Sequence, residues 1–307
     1  MKLVALVTLA LAVIAVHPLA AQPPEDLEFH FGWVLEDGTI FVEIPQVYDD
    51  DDFEERFSSL IEPIPFNDPQ SILMCQYRTP DNPDKINLPP PTKDSVLVLV
   101  DGTLRRGISL GMVYVRDQVV GYHLPGGHIR LDNASGLPSC NQEDCSFYCV
   151  PALIMSDCYY EHSVSNAVKI HDLEDPEPIP KHLRAFADSI TLPRSNAELD
   201  QCWNSFFRFN ENGEHFIIER SCIYRDLNAN SKYYLAKKDS AGQFNFIQLA
   251  HEDTTYASSM GFLSFFQIDG AKYVFALDFG YETNCMALYS LFDDSLILAK
   301  TSHIFGF

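Results

Sequence analysis

The segment Arg105–Arg130, RRGISLGMVYVRDQVVGYHLPGGHIR, constrains the fold more than any other part of the chain. Leu110–Val115 is apolar and rich in β-forming residues, residues 116–118 are typical of a turn, and Val119–Leu124 runs back. The loop Pro125–Gly127 should then interrupt the ladder, because proline lacks an N–H group and glycine tolerates positive φ. The segment therefore predicts a β-hairpin in the middle of a sheet.

Other segments carry strand or helix patterns. Phe29–Leu35 and Thr39–Ile44 flank a turn signal at residues 36–38, which predicts a second hairpin. Short apolar runs predict strands at residues 72–77, 146–151 and 232–237. Longer patterns predict helices at residues 181–189 and 204–227, the second with a break at residues 212–213.

Residues 1–21 have the pattern of a secretory signal peptide. Lys2 supplies the positive charge, Leu3–Val16 is an apolar run, and Leu19–Ala21 ends in small residues. The run is shorter than the roughly 20 residues needed to span a bilayer, which favours a cleaved leader over a membrane anchor. We therefore expect a secreted protein whose mature chain begins near Gln22.

The charge of the chain is strongly acidic. It has 43 Asp and Glu residues against 21 Lys and Arg residues, which gives a net charge of −22 at pH 7. Cleavage after residue 21 removes only Lys2, and leaves 286 residues (307 − 21) with a net charge of −23 (−22 − 1). Nucleic-acid binding draws most of its affinity from Lys and Arg contacts to phosphates, so this charge disfavours a nucleic-acid partner.

The cysteines predict disulfides. Their even number in an exported chain favours pairing over free thiols. The spacing Cys140-x4-Cys145-x3-Cys149 fits no common structural zinc site, so we expect oxidation there rather than a metal. The disulfide candidates are Cys75, Cys140, Cys145, Cys149, Cys158, Cys202, Cys222 and Cys285.

Two short motifs bear on ions and on covalent modification. The acidic run Asp49–Asp52 lacks the D-x-D-x-D-G pattern of a calcium loop, so a solvated loop is favoured over a calcium site. Asn133-Ala134-Ser135 is an N-x-S sequon in a polar segment. In a secreted chain it predicts a glycan on Asn133.

The central hairpin resembles the first active-site segment of the type II (acid) deoxyribonucleases. That family carries R-G-H-x-K-G, two strands joined by a turn, and then H-S-x-P. Arg106-Gly107 and Gly111 match the first motif, and His123-Leu124-Pro125 is similar to a shortened form of the second. The family's catalytic His and Lys, however, are replaced here by Ile108 and Leu110.

A second segment is similar to the family's E-D-H-x-K-W motif. Glu252-Asp253 is kept, whereas the catalytic His and Lys positions are held by Thr254 and Tyr256. Further on, residues 272–277 look like the family's late strand, Asp278 looks like its Asp-containing turn, and residues 284–287 look like the start of its last helix. The resemblance extends roughly from Phe29 to Lys300 and rests on the order of short segments.

The resemblance implies an α/β, phospholipase D-like fold with two pseudo-symmetric halves, residues 22–190 and 191–307, each a mixed sheet flanked by helices. In the family each half supplies one H-x-K to a shared site. One His attacks phosphorus, the other protonates the leaving oxygen, and the two Lys neutralise charge, with no metal or other cofactor. Ile108, Leu110, Thr254 and Tyr256 can do none of this, so we expect no nuclease activity although His123 is retained.

Three hypotheses follow. The first is a secreted pseudoenzyme, similar to the catalytically degenerate members that parasitic worms export, which binds an unknown protein or small molecule in the former active site. The second is a weakly active phosphodiesterase whose site has moved to His123 and His251. The third is an unrelated, disulfide-linked, β-rich secreted binder. A metal held by His123 and His128 is disfavoured because two ligands are too few, and the resemblance allows a homodimer.

Overall fold

The computed structural model of the chain describes residues 28–35, 38–44, 75–78, 95–117, 123–137, 150–155, 163–173, 179–192, 199–210, 214–224, 229–251, 257–280, 284–292 and 295–302. Within these ranges the chain forms seventeen β-strands and one α-helix. Among the described residues there is no helix long and apolar enough to cross a bilayer.

The first seven strands form one antiparallel sheet. They are β1 (Phe29–Val34), β2 (Ile40–Glu43), β3 (Cys75–Arg78), β4 (Ser95–Val100), β5 (Thr103–Asp117), β6 (His123–Leu131) and β7 (Pro151–Met155). The strand order is β3-β5-β4-β7-β1-β2-β6, and β5 also pairs with β6. This extra pairing closes six of the strands into a barrel, called here the small barrel, with β3 outside it on β5.

The sequence predicts the long hairpin β5–β6, but the turn expected at residues 116–118 is misplaced, because Arg116 and Asp117 belong to β5; residues 118–122 lie outside the described residues. The two strands pair from Gly107↔Leu131 to Arg116↔His123, and β5 also pairs with β4 and β3. The expected interruption at Pro125–Gly127 is wrong, because these residues lie inside β6. A Cβ on Gly126 would lie 2.1 Å from the ring of Phe41, so glycine here lets two strands pack closely rather than ending one.

The remaining ten strands form a second sheet. They are β8 (Val164–Lys169), β9 (His171–Asp172), β10 (Leu199–Asn210), β11 (Glu214–Tyr224), β12 (Ala229–Lys238), β13 (Phe244–His251), β14 (Ala257–Ile268), β15 (Ala271–Gly280), β16 (Asn284–Phe292) and β17 (Ser295–Thr301). The order is β8-β14-β15-β16-β17-β13-β12-β11-β10-β9. Only Ile170 separates the two end strands β8 and β9, so the sheet curls on itself and closes through residues 164–172. We call this closed sheet the ring.

Alternating side chains of the small barrel divide between its interior and one outer face. The interior is filled mainly by β-branched and aliphatic side chains, such as Val96, Val98 and Ile129. The outer face is aromatic and packs against the outer face of β14–β16 of the ring, a contact called here the seam. At the seam Phe31 stacks on Phe275 with ring centroids 6.1 Å apart.

Strands from all round the ring send side chains into its interior. These are Ile170, Phe207, Phe209, Ile217, Tyr233, Leu235, Leu249, Met260, Phe262, Phe265, Val274, Ala276, Ala287, Tyr289 and Leu296. Tyr233 meets Phe262 across the interior with ring centroids 5.9 Å apart. A single shared core of this kind is what a closed sheet requires, because every strand has one face turned inward.

The α/β, phospholipase D-like architecture expected from the resemblance is wrong. The described chain is nearly all β: a closed six-stranded barrel and a ten-stranded sheet, antiparallel except where β13 pairs with β17, stand in place of two sheets flanked by helices. The expected helix at 204–227 is the hairpin β10–β11, and residues 284–287 begin strand β16. Asp278 lies within β15 rather than in a turn.

The physical reason is burial on both faces. In β10, Phe207 and Phe209 point into the ring, whereas Phe206 points to the opposite face. Residues 206–209 therefore present apolar side chains on both faces, and this part of the strand loses the alternation that identifies a strand in sequence. Its aromatic residues favour a strand, and the sheet decides the outcome.

Several local predictions are confirmed. The hairpin of Phe29–Leu35 with Thr39–Ile44 is β1–β2, paired at Trp33↔Phe41. Residues 232–237 lie in β12 and residues 272–277 in β15. The helix predicted at 181–189 has those bounds.

Candidate functional site

The helix α1 (Lys181–Ser189) covers part of the outer face of the ring. Leu183 and Ala187, four residues apart on one side of the helix, are fully buried against that face. Phe186 stacks on Phe246 of β13, with ring centroids 3.7 Å apart. The helix ends at Ile190, which is extended and whose N–H bonds to the carbonyl of Ala187. These contacts fix α1 on β10–β13.

Between α1 and the start of β10 lies a cleft of about 450 Å³, called here the helix cleft. Ligand pockets are typically of ≈ 300–1,000 Å³, so the volume suits a small molecule. Its charged lining is Asp172, Arg184 and Asp188, all exposed at the surface. The remaining lining residues are Leu173, Ile179, Asn204, Ser205 and Phe206.

Asn204 orders the polar wall of the helix cleft. Its Nδ2 donates to Oδ1 of Asp188 at 2.9 Å, and its Oδ1 accepts from the guanidinium of Arg220 at 3.1 Å. The first contact ties β10 to α1 and the second ties β10 to β11. Because both ends of the amide are engaged, the Asp188 carboxylate is held at a fixed place on the cleft wall.

A second polar group lies inside the ring and is called here the Glu219 cluster. Glu219 is fully buried, and its Oε1 accepts hydrogen bonds from Ser221 Oγ at 2.7 Å and from the hydroxyl of Tyr233 at 3.3 Å. Ser221 Oγ also lies 2.7 Å from Ser231 Oγ. Burial, and then the Glu219 charge, raise the pKa of Tyr233 well above its usual value. Glu219 has no solvent-exposed surface and so cannot meet a ligand from solution. We therefore assign the Glu219 cluster a structural role in the interior of the ring.

A third polar group lies near the ends of β15 and β16. The Tyr289 hydroxyl donates to Oδ2 of Asp278 at 3.4 Å, and both residues are buried. Burial raises the pKa of the Cys285 thiol, as do the carboxylates of Asp278 and Glu43, whereas a hydrogen bond with Thr301 acts in the opposite direction. A thiol held in its neutral form is a poor nucleophile, so this group lacks an activated cysteine.

The seam carries two perturbed basic groups. Lys300 donates from Nζ to the backbone carbonyl of Phe29, which ties β17 of the ring to β1 of the small barrel. Burial lowers the pKa of Lys300, against the opposing charges of Glu28 and Glu43. Burial and the nearby Lys300 charge lower the pKa of His30 to about 4, and Glu28 acts in the opposite direction.

Of the four motif positions of the resemblance, two lie in the described residues, and both are on β5. Ile108 is half-buried in β5, and Leu110 is 39% exposed at a bulge of the same strand. Thr254 and Tyr256 lie outside the described residues. The described residues do not form the two α/β halves that the resemblance implied. The cleft expected between those halves is therefore not a feature of this fold.

The histidines of the alternative hypotheses lie in different sheets. His123 begins β6 of the small barrel, and His251 ends β13 of the ring. His128 is buried, with Nε2 2.9 Å from the hydroxyl of Thr39, which is a structural contact. In the part of the chain that the structure describes, no three His, Cys, Asp or Glu side chains are grouped so that they could hold a metal ion.

One predicted disulfide is present. Cys202 and Cys222 face each other on β10 and β11 and are bonded, with Cα atoms 4.1 Å apart. Cys285, also a disulfide candidate, has a free thiol. Cys75 begins β3, and the other candidates, Cys140, Cys145, Cys149 and Cys158, lie outside the described residues, as does the acidic run Asp49–Asp52.

Comparison of the chain with protein-family models, with curated proteins and with solved structures returns no match. The assignment of a function therefore rests on the chemistry of the described residues.

The helix cleft was not identified from the sequence, although one of its elements was. The prediction of a helix at 181–189 places Arg184 and Asp188 on its polar side. The partner residues Asn204 and Ser205 were assigned to another helix, so their strand could not be placed beside α1. Glu219 gave a clearer signal, because it is a single acidic residue after the apolar run Phe216–Ile218.

Proposed function

We propose that this chain is a secreted, β-rich binding protein whose helix cleft takes a small organic cation. Secretion is supported by the leader pattern of residues 1–21 and by a disulfide between Cys202 and Cys222. The binding role agrees with the third sequence hypothesis, a β-rich binder. In this proposal the ligand binds in the helix cleft, and no longer in the former nuclease cleft of the first hypothesis.

The observation that carries the proposal is the lining of the helix cleft. Two carboxylates, Asp172 and Asp188, and one guanidinium, Arg184, surround a volume of about 450 Å³. The lining therefore has a net charge of −1 (+1 − 2) within a chain of net charge −22. A cleft in an acidic field concentrates cations, so an amine is favoured over a carboxylate or phosphate ligand.

The polar contacts of the helix cleft give the expected binding mode. An ammonium group would bind the Asp188 carboxylate, which Asn204 already holds in place, so little side-chain freedom is lost on binding. The apolar part of the ligand would pack on Leu173, Ile179 and Phe206. Loss of a charge-assisted hydrogen bond of this kind costs about 1.5–3 kcal/mol, which is roughly ten- to hundredfold in Kd.

The test is calorimetric titration of the purified protein with putrescine, spermidine and L-arginine, beside glucose and citrate as uncharged and anionic probes. We expect amines to bind at a single site and Asp188→Asn to weaken binding at least about tenfold. Asp200→Asn is the matched control, because Asp200 is likewise an exposed aspartate but lies on β10 and does not line the cleft. Equal loss in both variants would mean that the amines bind the acidic surface as a whole, and the proposed site would be rejected.

A further inference from the structure

Residues 132–137 form an exposed turn that follows β6. Asn133, Ala134 and Ser135 are all exposed to solvent. The turn is anchored at its start, because the N–H of Asp132 bonds to the carbonyl of Arg106 at 2.9 Å. A Cβ added to Gly136, whose φ is +70°, would meet nothing within 4 Å, so the space beside the turn is open.

Inside this turn only the amide oxygen of the Asn133 side chain makes a hydrogen bond. Its Oδ1 accepts from the N–H of Ser135 at 2.9 Å, which is an Asx turn. The guanidinium of Arg105 donates to the carbonyls of Asn133 and Ser135 at 2.6 Å and 3.0 Å. Among the described residues, Nδ2 of Asn133 has no hydrogen-bond partner, so this nitrogen faces solvent in an ordered turn.

We infer that Asn133 carries an N-linked glycan, attached through Nδ2. In the reaction the amide nitrogen forms a bond to the anomeric carbon of a lipid-linked oligosaccharide. The bond from that carbon to the lipid diphosphate breaks, the diphosphate leaves with the electron pair, and the amide gives up one proton. The inference rests on the secretory route of the proposed function, since the oligosaccharide donor is met only there.

The folded turn can hold the product without rearrangement. Attachment at Nδ2 leaves Oδ1 free to keep its bond to the Ser135 N–H, and the Arg105 contacts use backbone carbonyls only. A glycan at this position would project from the end of the small barrel where β6 ends and β5 begins. It would not compete with the helix cleft, whose lining contains no residue of the small barrel.

The experiment is expression of the full chain in a eukaryotic secretory host, followed by digestion of the product with peptide N-glycosidase F and intact-mass measurement. We expect wild type and Ser135→Thr to lose the mass of one glycan, because threonine keeps the required hydroxyl. Asn133→Gln and Ser135→Ala should lose none. Wild type and Ser135→Thr should each have the same Tm before and after digestion, since no contact within the turn depends on the sugar.

Expression with two different leader sequences distinguishes a failure of this inference from a failure of the proposed secretion. In one arm residues 1–21 are kept, and in the other they are replaced by a leader of known efficiency. The inference is overturned if the glycosidase removes no mass from the wild-type chain in the second arm. It is also overturned if the glycosidase still removes a glycan from Asn133→Gln. A chain that is glycosylated in the second arm but retained in the cell in the first supports the site and rejects secretion by its own leader.

Discussion

Glu219 shows how single residues determine the interior of the ring. A fully buried carboxylate is costly unless several donors satisfy it, and here Ser221 and Tyr233 both donate to the same oxygen. Since these three residues lie on neighbouring strands, the cluster also fixes the register of β11 against β12.

Removal of one donor from Glu219 should destabilise the protein. We expect Tyr233→Phe to lower the free energy of unfolding by about 1–3 kcal/mol in urea titrations, because it leaves a buried acceptor short of a partner. Tyr234→Phe is the matched control, since the Tyr234 hydroxyl bonds to Gln248 at the surface. Equal effects of the two substitutions would show that burial of the Glu219 cluster does not matter to stability.

His30 makes a separate prediction about pH. Its pKa falls from the usual 6.5 to about 4 in the folded protein, so between these values the unfolded chain binds a proton that the folded chain does not. The free energy of unfolding should therefore fall between pH 7 and pH 5, by about 1–2 kcal/mol after allowance for solvent screening.

The measurement for His30 is urea unfolding at pH 7 and pH 5. His30→Gln should lose less stability over this interval than wild type, whereas the control His171→Gln, at an exposed histidine of β9, should behave as wild type does. An unchanged pH dependence in His30→Gln would contradict the assignment, because another group would then be responsible for the loss.

At the scale of elements, a clear turn signal or amphipathic pattern made an element predictable, even where strands are buried on both faces, as β1 and β2 are. The hairpin β1–β2 and the helix α1 have clear turn or amphipathic patterns, and both were found. β10 packs on the ring interior and also under α1, which removes its alternation. Strand β16, elsewhere in the ring, is likewise buried between the ring interior and the seam.

The disulfide between β10 and β11 tests the same hairpin. It closes a separation of 20 residues, for which a loop-entropy estimate gives about 3 kcal/mol of stabilisation. We expect Cys202→Ala/Cys222→Ala to lower the free energy of unfolding by roughly 2–4 kcal/mol. The control is Cys285→Ala, which removes a free thiol on β16. A loss no larger than that of the control would mean that strand pairing alone holds the hairpin.

At the scale of the whole molecule the acidic charge should oppose folding. With 43 acidic and 21 basic residues, the compact state concentrates like charges that the unfolded chain spreads apart. We expect Tm to rise by at least about 2 °C between 10 mM and 300 mM NaCl at pH 7, because salt screens this repulsion. Potassium chloride should act equally, and a rise specific to sodium would point to ion binding instead.

The resemblance to nucleases could not give the overall fold. Short matches such as Arg106-Gly107 and Glu252-Asp253 report local sequence only, and the same β-rich segments fit a barrel as well as a mixed sheet. The closure of the small barrel depends on the β5–β6 pairing together with β2–β6, and the second pairing joins residues far apart in sequence. No local pattern contains that information.

The closure of the ring through residues 164–172 sets an order for folding during synthesis. Every strand of the small barrel lies before residue 156, so this barrel can form while the rest of the chain is still being made. β8 then has to wait for its partner β14, as in the pair Lys169↔Ser264, roughly a hundred residues later. Until β14 emerges from the ribosome, the aromatic face of the small barrel and the open edge of β8 are both exposed, and this is the interval in which a chaperone would be needed.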